Sequence, residues 1–331
     1  MIRIGINGFG RIGRTFFKLI SELSDMEVVM INDPQPLAAL AHLLKYDSIH
    51  GPFKGEIALR SDNKLEVNNK LIEFTHSQSV SDLSWPFVDV VLDASGKFKS
   101  STELQNHLNS GAKSVVLTVP PIDDSMKMIV MGVNETQLDA RDKIISNASC
   151  TTNSAAHLIK LVHEAFTIES CFITTIHSYT SDQNLLDAPH RDLRRSRAAA
   201  QSIIPTTTGA AKALTKIFPD LSHIIGGCGI RVPVPNGSLT DLTFNIKGAP
   251  SVNQLNKLVM DAASQELSGI VQYTEDPIVS KDIVGNTHSC IYDSELTSIV
   301  GDMVKLVGWY DNEMGYSSRL VDLIRFHQSL V

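Results

Sequence analysis

Short apolar runs separated by amphipathic stretches set the rhythm of the first half of the chain. Residues 2–6 form an apolar strand pattern, and residues 11–23 place Ile12, Phe16, Leu19, Ile20 and Leu23 on one helical face. Residues 27–31, 88–92, 114–119 and 128–133 read as further buried strands, and residues 102–109 as a helix closed by Gly111. Strand–helix–strand alternation implies parallel pairing through right-handed crossovers, hence an α/β domain. Residues 55–75 break that rhythm: short runs split by Asp62-Asn63 and Asn68-Asn69 predict hairpins inserted into the domain.

From about residue 150 the pattern changes. A helix over 151–166 precedes a β-branched run at 172–176, and strands follow at 230–234, 239–246 and 304–310. The helix over 251–267 opens with Ser251-x-x-Gln254, a capping-box pattern. A final amphipathic helix over 313–331 runs through Leu320, Leu323, Ile324, Phe326 and His327. Strands divided by turn residues, with the helices grouped apart, predict an α+β domain on a largely antiparallel sheet.

Composition narrows the class. The 331 residues are 43% hydrophobic and 20% charged, an ordinary globular balance that leaves room for two domains. Net charge is −7, from 29 basic and 36 acidic residues, so no general footprint for nucleic acid or anionic membrane is present. No stretch reaches the ~18 apolar residues of a membrane span. The opening MIRIGINGFG reads as a strand and not as a secretory leader. Cys150, Cys171, Cys228 and Cys290 make neither a disulfide framework nor a CxxC pair, so no metal is expected. The expectation is a soluble, cytoplasmic protein of a reducing compartment.

Gly8-Phe9-Gly10-Arg11-Ile12-Gly13 is a GxGxxG between an apolar strand and an amphipathic helix. Gly8 permits a tight turn, Gly10 close approach to a pyrophosphate, and Gly13 close helix–strand packing. The helix N-terminus then turns its open N–H groups towards the phosphates. Asp33, at the end of the second strand, stands where a carboxylate accepts from a ribose hydroxyl and repels a 2′-phosphate, favouring NAD over NADP without excluding NADP. The first domain is therefore expected to be a Rossmann-type doubly wound parallel sheet.

Asn147–Asn153 links a short strand to a helix and places Cys150 at a helix N-terminus among small polar residues. There the helix dipole favours a thiolate and a lowered thiol pKa. Cys171, Cys228 and Cys290 lie in strand-like stretches and read as small buried hydrophobes. A nucleophilic thiolate needs a base within reach, and His177 ends the 172–176 strand; His42, His157 and His163 read as helix-surface positions. Spacing alone does not bring Cys150 and His177 together. Arg191, Arg194, Arg195 and Arg197 crowd just before Pro205–Lys212, whose hydroxyls and glycine open a helix as a phosphate cradle does. Arg231 stands alone in an apolar stretch as a buried cation. Together these suggest a phosphorylated substrate.

These residues resemble the phosphorylating glyceraldehyde-3-phosphate dehydrogenases. The resemblance runs through INGFGRIGR, AHLLKYDS, SNASCTTN, TTIHSYT, PTTTGAAKAL and GWYDNEMGYS, and so over nearly the whole chain. It implies an NAD-binding domain of residues 1–149 completed by the helix at 313–331, a catalytic domain of 150–312, and a homotetramer. It further implies Cys150 as nucleophile and His177 as base. Ser149, Thr151, Thr208 and Gly209 would bind inorganic phosphate, and Thr180, Arg195 and Arg231 the phosphates of substrate or attacking anion. Arg11, Ile12, Asp33, Thr118 and Asn312 would contact the dinucleotide.

Some positions depart from the pattern. Ser154 stands where many members carry a second cysteine, Ser77-Gln78 replaces a charged adenine-side pair, and Asp187-Ala188-Pro189 mixes the habits of NAD- and NADP-using members. The implied reaction is oxidative phosphorylation of glyceraldehyde 3-phosphate with NAD. Erythrose-4-phosphate dehydrogenase is the near alternative, disfavoured by TTTGAAKA. A silent or moonlighting NAD-binding protein is the alternative of another class, and a Cys–His hydrolase leaves the GxGxxG unexplained.

Overall fold

The apolar runs of the first half become a nine-stranded sheet in the structure, a computed structural model describing residues 1–248 and 250–331. Its elements in chain order are β1 (Ile2–Asn7), α1 (Arg11–Ile20), β2 (Met26–Asn32), α2 (Leu37–Lys45), β3 (Ile57–Ser61), β4 (Lys64–Val67) and β5 (Lys70–Thr75). They continue with β6 (Val90–Asp93), α3 (Ser101–Asn109), β7 (Ser114–Leu117), β8 (Lys127–Met128) and β9 (Ile144–Ser146). The strand order is β3-β4-β5-β2-β1-β6-β7-β9-β8. Only the hairpins of β3, β4 and β5 are antiparallel; the other pairings are parallel. Asn68 and Asn69, at φ 49° and 64°, make the left-handed turn between β4 and β5. Every residue of β6 and β7 is buried, as a sheet covered on both faces requires. The chain leaves β1 for β2 on one side and later returns to β6 on the other, which opens a crevice at the carboxyl ends of these strands.

Two expectations for this half are corrected. The helix predicted over 11–23 stops at Ile20, and its buried face is Phe16, Phe17 and Ile20 rather than a stripe reaching Leu23. Arg14 is buried there too, because its Nη1 donates to the Phe9 carbonyl at 2.7 Å. The strand predicted over 128–133 ends after Met128. Gly132 at φ +83° and the Val133 N–H bonded to the Val130 carbonyl turn the chain away instead.

Contacts divide the chain into two units, one of Met1–Ile129, Glu135–Ala148 and Ser317–Val331, the other of Val130–Asn134 and Ser149–Tyr316. The second unit holds α4 (Cys150–Ala165), β10 (Ile168–Ser178), β11 (Ile204–Thr206), α5 (Gly209–Ile217), β12 (Ile225–Val232) and β13 (Ser238–Ile246). After these come α6 (Val252–Ser264), β14 (Val271–Thr274), β15 (Cys290–Asp293), β16 (Ser298–Val300), β17 (Met303–Tyr310) and the start of α7 (Met314–Ser329). Its sheet runs β11-β12-β10-β13-β17-β15-β14, with β16 beside β17, and is antiparallel except at β10–β12 and β14–β15. Residues of β13 alternate between buried and half-buried, one face inward and one outward.

The strand predicted at 230–234 begins at Ile225, because Gly226, Gly227 and Gly229 mask its β character. His157 is not on a helix surface: it is fully buried, with Nδ1 at 2.7 Å from the Asn153 carbonyl and Nε2 at 2.8 Å from that of Met131.

Candidate active site

The turn into α4 fixes the cysteine. Ala148 sits at φ +54°, a strained position for a residue with a Cβ, and Ser149 caps the helix by accepting from Thr152 N–H at 3.1 Å. Cys150 is therefore the first helical residue. His177 is next to last in β10, and its Nε2 lies 3.4 Å from Cys150 Sγ. The parallel register of β10 and β12 pairs His177 with Arg231, so the guanidinium reaches the imidazole as a consequence of sheet geometry. Arg231 Nη1 contacts His177 Nδ1 and donates to the Ser178 carbonyl at 2.9 Å. Beneath them the Tyr310 hydroxyl lies 2.8 Å from Thr151 Oγ1 and 3.0 Å from Thr175 Oγ1, its ring meeting His177 edge-on.

Electrostatics corrects the lowered thiol expected from helix position. Burial pushes the Cys150 thiol up, while the Arg231 charge and the N–H and hydroxyl of Thr151 pull the other way. Burial, then the Arg231 charge, pushes His177 down to about 3. Burial thus disfavours charge on both partners, and with His177 Nδ1 2.7 Å from the Ser178 carbonyl, Nε2 is the ring atom that faces the thiol. Cys171 and Cys290 are buried, their thiols pushed up to about 12 by burial. Cys228 is only half-buried, unlike the core hydrophobe expected.

Most of the anion candidates lie on or beside β11, β12 and the entry to α5. β11 runs antiparallel to β12 and pairs Ile204 with Arg231. The chain then turns through Thr208, whose Oγ1 accepts from Ala210 N–H at 3.2 Å, into α5 at Gly209. Arg195 is held by Asp182, by Thr206 Oγ1 at 3.0 Å and by the Thr207 carbonyl at 3.2 Å. Burial and the neighbouring Arg195 charge lower the pKa of Arg231, against the opposing pull of Asp182. Thr180 is half-buried just past Ser178. Arg191 and Arg194 are exposed, and Arg197 pairs with Asp187 at 2.9 Å. Asn312, also in this unit, accepts at Oδ1 from Ser178 Oγ at 2.9 Å and Ser238 Oγ at 3.0 Å, which fixes its amide orientation.

The first unit carries a cleft of about 280 Å³ whose lining includes Gly8, Gly10, Asp33, Ser77, Gln78 and Lys97. A Cβ at Gly8 (φ +95°) would meet Ser95 N at 2.5 Å, and one at Gly13 the Gly8 carbonyl oxygen at 2.3 Å. A Cβ at Gly10 would meet nothing within 4 Å, and no side chain caps the N-terminus of α1. This open, uncapped cradle fits a dinucleotide pyrophosphate. Asp33 is held by Phe9 N–H at 2.8 Å and Gln35 N–H at 2.9 Å. Arg11 pairs with Asp47 at 2.9 Å, Ile12 is half-buried, and Thr118 Oγ1 donates to the Asp93 carbonyl at 3.0 Å.

Comparison with known proteins agrees with this geometry. Residues 149–312 match the family model described as glyceraldehyde 3-phosphate dehydrogenase, C-terminal domain, and residues 2–101 match that family's NAD binding domain. Glyceraldehyde-3-phosphate dehydrogenase 2 of Streptomyces avermitilis is 47% identical over 330 residues, covering 98% of each chain. The glyceraldehyde-3-phosphate dehydrogenase of Mycobacterium leprae is 45% identical over 331 residues, covering 98% of this chain and 97% of its own. The chain belongs to the glyceraldehyde-3-phosphate dehydrogenase family. As a member of that family it takes NAD as cofactor, through the domain matched at 2–101. Among the described residues no His, Cys, Asp and Glu cluster could hold a metal, and no helix is long and apolar enough to cross a membrane.

Sequence reasoning missed Tyr310, Asp182 and the Ser178 and Ser238 hydroxyls that hold Asn312. Tyr310 lies inside GWYDNEMGYS, yet nothing in its spacing marks a hydroxyl shared by two threonines. The Asp182–Arg195 pair depends on how residues 179–203 fold back, which periodicity does not encode.

Proposed function

We propose that the protein oxidises glyceraldehyde 3-phosphate with NAD and inorganic phosphate, through a thioester on Cys150, in glycolysis or its reverse. The observation that carries this reading is the thiol of Cys150 at 3.4 Å from the His177 imidazole, beside the Arg231 guanidinium. Cys150 Sγ bonds to the aldehyde carbon as its proton passes by way of His177 Nε2 to the carbonyl oxygen, giving a thiohemiacetal and leaving His177 neutral. His177 then takes the hydroxyl proton while the carbon loses a hydride, help worth on the order of 10²–10⁴ in rate. NAD, when bound, accepts that hydride. Inorganic phosphate attacks the resulting thioester, releases the acyl phosphate and frees the cysteine.

Two anions must be held beside one sulfur. Thr180, Arg195 and Arg231 supply the charge and hydroxyl for phosphate groups of substrate or attacking anion, and Ser149, Thr151, Thr208 and Gly209 the donors for inorganic phosphate. Thr208 Oγ1 already accepts the Ala210 N–H, so its hydroxyl proton remains for an anion, while Ser149 Oγ accepts the Thr152 N–H and shares a second hydrogen bond with Thr152 Oγ1 at 2.7 Å. Gly8, Gly10, Arg11, Ile12, Gly13, Asp33 and Thr118 hold the dinucleotide, and Asn312 offers its oriented amide to the nicotinamide carboxamide.

The protein acts as a cytoplasmic homotetramer. The outer face of the second unit's sheet supports assembly: Val232, Val234, Leu239, Val307 and Trp309 line a hollow of about 780 Å³ with the Asp241–Lys305 pair beside it.

An absorbance assay of nicotinamide reduction tests the function. Glyceraldehyde 3-phosphate with NAD and added phosphate is expected to give sustained turnover. Withholding phosphate should leave at most one turnover per cysteine, and Cys150→Ser should abolish reduction while still binding NAD. Faster oxidation of erythrose 4-phosphate, independent of phosphate, would overturn the assignment.

A further inference from the structure

A buried chain of polar side chains runs beneath the cleft of the first unit, and the chemistry described so far does not use it. Trp85, Asp93 and His107 are fully buried, and Asn7 and Asn32 nearly so. Trp85 Nε1 lies 2.9 Å from His107 Nδ1, and His107 Nε2 lies 3.1 Å from Asp93 Oδ2. Asn7 Nδ2 donates to the same Asp93 oxygen at 2.8 Å, and Ser95 gives its N–H and hydroxyl to Asp93 Oδ1 at 3.1 and 2.7 Å. Behind Asn7, Asn32 Nδ2 donates to Asn7 Oδ1 at 2.8 Å, and Asn32 Oδ1 accepts from Thr75 Oγ1 and Ser77 N–H.

Every member of this chain has only one orientation. An indole N–H can only donate, so His107 Nδ1 must accept, and the single imidazole proton sits on Nε2 facing Asp93. An imidazolium would set a second N–H against the indole. Asp93 then accepts four neutral donors, and the amides of Asn7 and Asn32 are locked with their oxygens turned towards Thr75. Asn7, Asn32, Ser77 and Ser95 all line the 280 Å³ cleft. The sheet explains why: β2, β1 and β6 are adjacent and parallel, and Asn32, Asn7 and Asp93 are partners in register at their carboxyl ends.

We propose that Trp85 and His107 are positioning residues for the dinucleotide, acting through Asp93 to hold Asn7 and Ser95 in the orientation the cofactor meets. Trp85 donates to the imidazole at Nδ1, His107 completes the donor set of Asp93, and Asp93 fixes the loop that follows β6. The effect belongs to cofactor binding and not to the sulfur chemistry of the second unit. It rests on the reading that NAD occupies this cleft.

The test begins with ¹⁵N-histidine NMR of the NAD-bound enzyme. A neutral His107 protonated on Nε2 is expected; a proton on Nδ1, or an imidazolium, would overturn the proposal. His107→Leu leaves Asp93 and Trp85 each short of a partner, and should raise KM for NAD about ten-fold with kcat and the aldehyde KM within about two-fold. His107→Gln, with a carbonyl for the indole and an amide for the carboxylate, should return KM for NAD to within about three-fold of wild type. Equal NAD affinity in the Leu variant and wild type, or no rescue by Gln, sinks it. If the Leu variant does not fold, Trp85→Phe serves instead: the Nε2 proton facing Asp93 should be kept while NAD affinity falls, and unchanged affinity overturns the proposal. Gly10→Ala is the control. If it weakens NAD while His107→Leu does not, the network fails alone; if it does not, the cleft reading fails as well.

Discussion

At the scale of single residues, burial works against charge on both members of the Cys150–His177 pair. Burial holds the thiol above its ordinary value and the imidazole at about 3. In the proposed mechanism His177 takes the thiol proton as Sγ attacks. His177→Asn should slow single-turnover hydride transfer by about 10²–10⁴. It should also slow iodoacetamide alkylation of Cys150 at pH 7. The sign with pH follows from the thiol: as pH rises, solvent deprotonates more of it without help, so the variant's alkylation rate should converge on that of wild type. Equal alkylation rates at pH 7 would show that His177 does not accept the proton.

At the scale of elements, the glycines of the β1–α1 turn separate folding from binding. A Cβ at Gly13 would strike the Gly8 carbonyl oxygen at 2.3 Å, a backbone atom that cannot move without reshaping the turn. Gly13→Ala should therefore cost about 2–4 kcal/mol of stability, read as a lowered Tm. A Cβ at Gly10 meets only open space, so Gly10→Ala should keep Tm within a few degrees and raise KM for NAD instead. A KM unchanged in Gly10→Ala would place the pyrophosphate elsewhere. This contrast was legible in the GxGxxG itself, because turn chemistry and helix entry are local. The strand at 225–232 was half-hidden because its glycines carry no β signal, and 128–133 misread because an apolar run says nothing about where it turns. The two residues that meet at the sulfur, His177 and Arg231, are 54 apart in the chain; only the register of β10 and β12 makes them neighbours. Local pattern gives elements and candidates, whereas contact across a sheet is written in long-range pairing.

At the scale of the whole molecule, the response to acid is set largely by carboxylates that tie distant segments of the first unit. Asp47 binds Arg11 at 2.9 Å and Lys18 at 3.0 Å on α1, and accepts the Ile49 N–H at 2.9 Å; its side chain is 2% exposed. Burial alone would raise its pKa, but the Ile49 N–H, Lys18 and Arg11 outweigh that and hold the carboxylate far below the usual range. Asp89 is likewise held low against burial, by Arg3 and Lys113, and Asp25 by Arg325 of α7. A carboxylate with a depressed folded pKa contributes stability that is complete above its unfolded value near about 4 and fades as pH falls towards the folded one. Asp47→Asn should therefore destabilise by about 1.5–3 kcal/mol at pH 7, since it strips a charged acceptor from two cations. The gap between variant and wild type in urea unfolding should stay constant from pH 7 to about 5, then close as pH falls through about 4 towards 2. A gap that persists undiminished at pH 2 would mean that Asp47 acts through packing and not through its charge. Because Arg11 opens α1 at the dinucleotide cradle, the same variant should also weaken NAD binding at neutral pH, and that loss too should lessen on acidification as the wild-type carboxylate is protonated.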